Sequence, residues 1–276
     1  MQKKYAALFI IFACSIIVIG GVVIMFKNIN TSNISEQKNT QTSPMILGGV
    51  VAHHNLIANE IDRFWKTAAN RMQPQTIILI GPDHHDIAKG AIATVNQEQV
   101  IQDAVPLNTP LIEALIQAHV AIVDNTVIQN EHSVQLHLPW IQELFPHATF
   151  VPLIIRSDAT VTQLMHAASI IQQQTTDSIL IVASVDFSHY LNYKEAQEKD
   201  VETLKAIQQF DYSTLLSYDS DHLDSDQSII LLSTIVCPEK QCSWEVFYHG
   251  NSADQPSVGD TDTTSYFSLF LDPFTH

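Results

Sequence analysis

Residues 76–86 read TIILIGPDHHD, and the predicted fold is built around this segment. Residues 77–80 form an apolar, β-branched run with the length of a buried strand. A Gly-Pro pair ends the run, and Asp83, His84 and His85 follow at once. Ligands of open α/β sheets bind just beyond the carboxyl ends of the strands. The stretch therefore predicts a buried strand that ends in a functional site.

The composition favours a globular domain and argues against a nucleic-acid partner. The chain has 276 residues, of which 46% are hydrophobic, and this suits one large α/β domain or two small ones. There are 29 acidic residues against 13 Lys and Arg, which gives a formal net charge of −16. No stretch is rich in basic residues. We therefore expect no binding to phosphate backbones.

The N-terminal residues 1–27 predict a membrane anchor. Lys3 and Lys4 precede an uncharged, apolar run over residues 5–26, which is long enough to cross a bilayer as a helix. A cleaved signal peptide is the alternative, but its apolar region is normally shorter. A lipoprotein cleavage site at Cys14 is a weaker alternative, because the apolar run continues past that cysteine.

The lysines before the run predict its orientation. They favour an N-terminus inside the cytoplasm, so we expect a single-pass membrane protein whose globular domain is extracytoplasmic. Residues 28–44 are polar and lack aromatic side chains, which predicts a solvated linker. The expected organisation is a transmembrane signal anchor over 1–27, a linker over 28–44 and a folded domain over 45–276.

Strands and helices alternate through the predicted domain. This order favours an α/β fold, a three-layer αβα sandwich with a mainly parallel or mixed central sheet. A first strand is expected over 45–52, followed by a helix with apolar residues at helical spacing from Ile57 to Met72. Thr109 is expected to cap a helix that begins at Pro110. Two alternating stretches near the end of the chain predict an antiparallel extension of the sheet. Further strands are predicted over 90–95, 121–125, 149–155 and the apolar run before Asp186, and further helices over 161–174, 194–209 and 226–236.

Cys237 and Cys242 are separated by four residues in the stretch CPEKQC. In an oxidising compartment, two such cysteines are expected to close a small disulfide loop between a helix and a strand. The alternative is two free thiols. The spacing does not match a CxxC redox pair or a zinc-binding motif.

Three predicted strands end in metal-binding or acid–base side chains, which are His53, His84 and Asp186. Parallel strands bring their carboxyl ends to one edge of a sheet, so these distant residues are expected to line one pocket. Two histidines with one carboxylate suit non-haem Fe(II) in particular. A lone histidine before a helix is more often a surface residue or a cap, but the pairing of His53 with His84 favours a site.

Four blocks of the sequence resemble the signature of the Memo family, also called AmmeMemoRadiSam system protein B. That family is related to the class III extradiol, LigB-type dioxygenases. The match covers residues 46–271, and its first block keeps only the first histidine of the family's PHAGY block. The blocks are AHHNL (52–56), GPDHH (81–85), EHSVQLHLP (131–139) and SVDFSHY (184–190).

The resemblance implies an αβα fold and a metal site with His53, His84 and a third ligand. The third ligand of the family is usually a cysteine in a CGxxPI segment, and the matching segment here is DSDQSI, so Asp224 takes its place. With Asp224 in place of the cysteine, the predicted ligand set is two histidines and one carboxylate. His222 is a rival third ligand. Asp224 is equally suited to capping the following helix, although Asp226 is available for that role.

The resemblance also implies catalytic side chains around the metal. His189 is the candidate acid–base group, with Asp186 orienting it or binding directly. Glu131 and His132 match a block at the same edge of the pocket. His137, in the helix that follows, is expected to be structural.

The sequence is compatible with three functions, because a fold does not determine a function. The first is a membrane-anchored metalloprotein with a mononuclear non-haem site, an oxygen-dependent, dioxygenase-like oxidoreductase acting on a small molecule. Fe(II) is the first expectation, with Cu or Zn as alternatives. The second is a non-enzymatic module that binds a metal or a partner. The third is a metal-assisted hydrolase, in which the same ligands activate water.

Overall fold

A computed structural model of the chain describes residues 46–101, 105–175 and 178–273. These residues form a mixed α/β structure in which helices flank a central sheet of nine strands. The predicted anchor and linker lie outside the described residues. Within the described ranges, no helix combines the length and the apolar character that a membrane span requires.

The elements alternate along the chain much as the sequence predicts. The strands are β1 (Ile46–Val51), β2 (Thr76–Pro82), β3 (Ile92–Thr94), β4 (Ile122–Val123), β5 (Thr149–Ile155), β6 (Ile179–Ser184), β7 (His189–Leu191), β8 (Ser243–Asn251) and β9 (Thr263–Asp272). The helices are α1 (Ala58–Arg71), α2 (Thr109–Gln117), α3 (Asn125–Asn130), α4 (His132–Gln135), α5 (Leu138–Leu144), α6 (Val161–Gln174), α7 (Tyr193–Gln208), α8 (Tyr212–Leu215) and α9 (Asp226–Val236).

The sheet has a parallel centre and antiparallel flanks. Its strand order is β4-β3-β5-β2-β6-β1-β9-β7, and β8 pairs with β9. The neighbours β5, β2, β6 and β1 all run parallel, so their carboxyl ends lie along one edge. β9 runs antiparallel to β1, and β8 runs antiparallel to β9, which confirms the predicted extension. β3 is also antiparallel to β5, so the sheet is mixed.

Helices cover both faces of the sheet at β1. Successive residues of a strand point to opposite faces. A Cβ atom on Gly48 would lie 3.0 Å from Val236 in α9, and one on Gly49 would lie 2.7 Å from Phe64 in α1. The two helices therefore approach β1 from opposite sides, and the absence of a glycine side chain permits that approach.

The apolar patterns of the sequence form the core. In α1, the buried side chains are those predicted at helical spacing, among them Phe64 and Trp65. β2 and β6 are buried along their whole length, as expected for central parallel strands covered on both faces. In α9, every residue from Gln227 to Val236 is buried, so this helix is surrounded by protein.

One predicted helix start is wrong by one residue. Thr109 is the first residue of α2 rather than its cap, because Asn108 accepts the Leu111 main-chain N–H through its side chain at 3.1 Å. Asparagine caps helices at least as well as threonine. The Asn108 amide also donates to Thr76 Oγ1 at 2.9 Å, which ties this cap to the start of β2.

Cys237 and Cys242 form a disulfide. Cys237 directly follows α9, and Cys242 directly precedes β8. The predicted loop between a helix and a strand is therefore confirmed, and the alternative of two free thiols is wrong.

Candidate metal centre

The candidate metal centre lies at the carboxyl edge of the parallel strands. His53 follows β1, His84 follows β2 and Asp186 follows β6. The ring centroids of His53 and His84 are 5.0 Å apart. The His53 main-chain N–H donates to Asp186 Oδ1 at 2.9 Å, although the two residues are 133 positions apart. The sheet thus brings together the three strand ends that the sequence pattern singled out.

Asp224 provides a carboxylate that faces both histidines. Its Oδ2 atom lies 3.1 Å from His53 Nε2 and 3.7 Å from His84 Nε2. Its Oδ1 atom is buried and has no hydrogen-bond partner among the described residues. Metal bonds near 2.1 Å place neighbouring ligand atoms roughly 3.0–3.4 Å apart. The distance to His53 falls within this range, the distance to His84 exceeds it slightly, and the unpaired oxygen is an additional donor.

Asp224 does not cap α9, which was the predicted alternative to its role as a ligand. Ser225 caps α9, with its Oγ accepting the Ser228 main-chain N–H at 3.3 Å, so neither Asp224 nor Asp226 is the cap. Two hydrogen bonds join Asp224 to Asp186 instead. The Asp224 N–H donates to the Asp186 carbonyl at 3.1 Å, and the Asp186 N–H donates to Asp224 Oδ2 at 3.2 Å. They fix the carboxylate at the end of β6.

His222, the rival third ligand, is engaged elsewhere. Its Nδ1 atom binds Asp221, and its Nε2 atom lies 3.1 Å from Glu202 Oε2. Its ring stacks on Tyr218 with the centroids 3.6 Å apart. Both ring nitrogens therefore have carboxylate partners, and neither is left for an ion bound by His53.

Glu131 orients His84. Its Oε1 atom lies 2.7 Å from His84 Nδ1, and its Oε2 atom accepts the His84 main-chain N–H at 3.2 Å. A Cβ on Gly81 would collide with the Ser133 side chain, so glycine lets the start of α4 lie against the end of β2. With Nδ1 bound to Glu131, the other ring nitrogen of His84 is presented to Asp224.

His132 lies at the rim of the same cluster. Its ring stacks on that of His84 with the centroids 4.3 Å apart and meets His53 edge-on at 4.9 Å. One ligand atom from each of these three histidines lies within 4.8 Å of the other two. The His132 side chain is 60% exposed, so it is a further imidazole donor that solvent reaches.

His189 lies on β7, where its main-chain N–H donates to the Ser220 carbonyl at 2.9 Å. Its Nδ1 atom is buried and has no hydrogen-bond partner. Asp186 was expected to orient His189 or to bind the metal directly. Its Oδ1 accepts the His53 main-chain N–H, and one of its oxygens lies within 4.8 Å of a ligand atom of His53 and of Asp224. His189 is therefore near the centre with a ring nitrogen that is still available.

Neighbouring charges outweigh burial at this site. Burial acts to lower the pKa of His84, but the neighbouring Asp224 and Glu131 carboxylates raise this pKa to about 10. Burial favours neutral Asp224, but the adjacent His53 and His84 side chains hold its pKa well below the usual range. Burial also opposes ionisation of Glu131, and hydrogen bonds from His132 and His84 hold its pKa low. Without a metal ion, a protonated His84 thus lies between two carboxylates.

A buried chain of hydrogen bonds supports His53 on the side away from Asp224. Trp65 Nε1 donates to His137 Nδ1 at 3.1 Å, and His137 Nε2 lies 3.0 Å from Ser184 Oγ. Ser184 Oγ lies 3.0 Å from His53 Nδ1. An indole N–H can only donate, and burial lowers the pKa of His137 to about 3, so a neutral His137 donates through Nε2. The Ser184 oxygen accepts from His137 and can also accept from His53 Nδ1, which leaves His53 Nε2 as the nitrogen that faces Asp224.

The sequence patterns did not predict this series of hydrogen bonds. They indicated a structural role for His137 and singled out neither Ser184 nor Trp65. A signal was present, because Ser184 is the only hydroxyl in the strand ILIVAS and stands at its carboxyl end. A polar residue that ends a buried strand beside a predicted site is a candidate partner for the site residues.

An open cleft of about 440 Å³ adjoins the centre, and His84, His189 and Asp224 are among its lining residues. Asp226 also lines it, and burial raises the pKa of this carboxyl to about 6. The volume suits a small-molecule ligand.

The fold and the site define a class, a mixed α/β protein with a candidate mononuclear metal centre at the carboxyl edge of its sheet. The family described as Memo-like protein matches residues 61–231, which is more than half of the chain. The chain belongs to the Memo family.

Curated relatives agree with this membership. A MEMO1 family protein of Methanopyrus kandleri is 25% identical over 186 residues, which cover 64% of this chain and 65% of that protein. A MEMO1 family protein of Pyrobaculum arsenaticum is 25% identical over 236 residues, which cover 82% and 83%. The first alignment thus spans just under two thirds of the relative.

The fold also resembles the crystal structure of the uncharacterized protein JW3007 from Escherichia coli K12. The TM-score is 0.55 at 16% sequence identity, and the match covers 81% of this chain and 98% of that chain. At this identity, the likeness concerns the fold alone.

Proposed function

We propose that this chain is a metalloprotein that holds one mononuclear non-haem ion with His53, His84 and Asp224. The observation that carries the proposal is the Asp224 carboxylate, whose Oδ2 faces both histidines while its buried Oδ1 has no partner. A buried carboxylate oxygen costs free energy unless a donor or a cation meets it. Two imidazoles and one carboxylate favour Fe(II) first, with Cu or Zn as alternatives.

The activity that we propose is that of an oxygen-dependent, dioxygenase-like oxidoreductase acting on a small molecule. The site would lie at the edge of a three-layer αβα sandwich. A bound Fe(II) would supply redox chemistry at the coordination positions that the protein leaves open. The cleft of about 440 Å³ supports a small-molecule substrate, because it adjoins His84 and Asp224.

The surrounding side chains have separate roles in this proposal. His189 is the acid–base group, since its Nδ1 is unpaired and its ring lines the cleft. Glu131 keeps His84 oriented, and Asp186 holds the main chain of His53. His132 stands at the rim as a further imidazole for a ligand or a proton.

Metal content tests the ligand set. The full-length protein is loaded with Fe(II) under anaerobic conditions, freed of unbound metal and measured by elemental analysis. We expect about one equivalent in the wild type and a large loss in the double variant His53→Ala/His84→Ala. The matched control is His147→Ala/His166→Ala, which removes two exposed histidines and should retain the metal. Equal metal content in all three proteins would refute the site.

Oxygen consumption then tests the reaction. Oxygen uptake by the Fe(II) protein with simple catechols is expected, and it should be lost in His189→Ala while the metal is retained. Metal binding without turnover of any substrate would favour a non-enzymatic module. Hydrolysis without oxygen uptake would favour the metal-assisted hydrolase.

We also propose that the N-terminal run anchors the protein in a membrane, with the N-terminus inside and the domain outside the cytoplasm. The lysines at positions 3 and 4 support that orientation, and the Cys237–Cys242 disulfide is typical of an oxidising compartment. In sealed right-side-out vesicles, external protease should digest the domain. Protection of the domain until detergent is added would refute the topology.

A further inference from the structure

The wall of the cleft beside the centre is acidic. Among its described lining residues there is no Lys or Arg. Arg156 lies near enough to sense Asp86 and Asp83, but its guanidinium already donates to Asp158 at 2.9 and 3.0 Å. The lining carboxylates are those of Asp83, Asp86, Asp219, Asp224 and Asp226.

These carboxylates differ in how far the protein uses them. Asp83 accepts the Ala88 main-chain N–H at 2.7 Å, and Asp86 accepts the N–H and the hydroxyl of Ser157 at 2.9 and 2.7 Å. These two carboxylates order their loop. Asp219 accepts the Asp221 main-chain N–H through Oδ1 at 3.2 Å, but it is exposed and its Oδ2 remains accessible, and Asp226 is half-buried. The latter two are available to a ligand from the solvent side.

An unpaired polar atom in the wall of the cleft points to a ligand independently of the carboxylates. The Nδ1 atom of His189 is buried and has no hydrogen-bond partner. Buried polar atoms are normally paired, so this nitrogen is expected to meet a bound group, whereas the unpaired Oδ1 of Asp224 is accounted for by the proposed metal ion.

Two tyrosines supply flat apolar surface to the same wall. Tyr190 is 75% exposed and has a φ of 60°, a left-handed conformation that is strained for a tyrosine. Such strain concentrates at functional sites. Tyr218 is held in place by stacking on His222. Aromatic faces and carboxylates together attract organic cations, the faces through their π-electrons and the carboxylates through their charge.

We propose that the cleft binds an organic ammonium ion. Asp219 and Asp226 bind the ammonium group, and the rings of Tyr190 and Tyr218 contact the hydrocarbon part of the ligand. An anionic ligand would meet five carboxylates and no basic side chain except imidazole in the described wall. The inference rests on the proposed function only in naming this ammonium compound as the molecule that reaches the metal.

Three phenols of similar shape test the charge preference without chelating a metal. Tyramine is a cation, p-cresol is neutral and 4-hydroxyphenylacetate is an anion. Calorimetric titrations of the full-length protein should show that tyramine binds at least about tenfold more tightly than either other phenol. High salt should reduce this difference in affinity, because it screens the charges. Equal affinities, or tighter binding of the anion, would overturn the inference.

The same titrations on His53→Ala/His84→Ala separate this inference from the proposed function. If tyramine preference persists while the variant and the wild type carry equal metal, the metal site is wrong and the ammonium site stands. If the metal site behaves as proposed but tyramine has no advantage over p-cresol, the ammonium site is wrong and the metal site stands.

Substitutions of residues that line the cleft test whether tyramine binds there. Asp219→Asn, at an exposed position, and Asp219→Asn/Asp226→Asn should each reduce the advantage of tyramine, the double variant by about tenfold. Tyr190→Ala should weaken tyramine and p-cresol alike. The matched control is Glu113→Gln on α2, which removes one exposed charge outside the cleft and should change nothing. Unchanged tyramine affinity in both aspartate variants would refute the site.

Discussion

Histidine meets carboxylate both around His222 and at the candidate metal centre, but the two clusters differ in how their polar atoms are paired. Each nitrogen of His222 has its own carboxylate partner, and Lys199 also binds Asp221 at 2.9 Å. At the centre, His53 and His84 share one carboxylate, and its second oxygen is unpaired. The same residue types therefore form an ion-pair network in one place and an incomplete site in the other.

The two clusters are alike in composition and in donor spacing, and they differ in how completely their polar atoms are hydrogen-bonded. The cluster of Asp219, Asp221 and His222 also places three donor atoms within 4.8 Å of one another. Within it, the charges of Asp221 and His222 are balanced by each other and by their neighbours, while exposed Asp219 takes no part in these ion pairs. The paired residues are therefore expected to contribute little beyond a surface ion pair. Matched substitutions in the two clusters test whether this difference in pairing determines metal binding.

The largest effect is expected for Asp224→Asn. The change keeps the shape but removes the charge that both imidazoles face, so metal affinity should fall by at least about 100-fold, the upper range for groups that only support a ligand. Zn(II) competition with a chromophoric chelator measures it without redox complications. Asp221→Asn, in the His222 cluster, is the control and should leave metal affinity unchanged. Equal losses in both variants would contradict the comparison.

A smaller effect is expected for Ser184→Ala. This change leaves His137 Nε2 and His53 Nδ1 unpaired in a buried place, so metal affinity should fall by about 10- to 100-fold and stability by about 1–3 kcal/mol. Ser188→Ala is the matched control, since Ser188 is also fully buried but pairs with Ser265 at 2.8 Å. It should lose stability and keep metal affinity. A similar loss of affinity in the control would show that the effect is indirect.

Metal affinity should also rise with pH. The pKa of His84 is raised from 6.5 to about 10, so its proton stabilises the metal-free fold below pH 6.5 and this stabilisation is lost as pH rises through 10. A metal ion must displace that proton, and its affinity changes in the opposite sense, by about tenfold per pH unit for one proton. Zn(II) competition at pH 6, 7 and 8 measures the slope. Affinity that does not change over this range would contradict the assignment of His84.

The smallest effect is expected for His222→Phe. The ring keeps its stacking on Tyr218 but releases Asp221 and Glu202, whose side chains are 36% and 57% exposed and can be hydrated. Urea unfolding should show a loss of about 1 kcal/mol or less, with metal content unchanged. A loss of metal in this variant would show that the His222 cluster also contributes to metal binding, against the distinction between the two clusters.

Much of the fold follows from local pattern. The bounds of α6 and α9 agree with the predicted helices, because each combines apolar spacing with a clear polar start. β7 and α8 were missed, since three or four residues carry too little periodicity to be recognised. The caps at Asn108 and Ser225 were displaced by one residue, because neighbouring polar residues compete equally well in sequence and only the backbone geometry decides.

Some residues of the candidate site were likewise predictable from the sequence, and others were not. His53, His84 and Asp186 were predictable because parallel strands must end at one edge of the sheet. Asp224 required the family resemblance, and whether it caps a helix depends on a choice between Asp224, Ser225 and Asp226 that local sequence does not make. The chain from Trp65 through Ser184 to His53 joins distant segments through side chains, and no spacing rule predicts it.

The pairing of Asp224 with Asp186 has a consequence for engineering and for divergence. The Asp224 N–H bonds the Asp186 carbonyl, and Leu223 and Phe187 form an antiparallel bridge beside it, so the backbone fixes the place of the third donor whatever side chain stands there. Replacing Asp224 with cysteine or histidine therefore exchanges a hard oxygen for a softer donor at nearly constant geometry. In the proposed metal centre, a change of one codon is therefore expected to alter the metal preference while the backbone around the site stays the same.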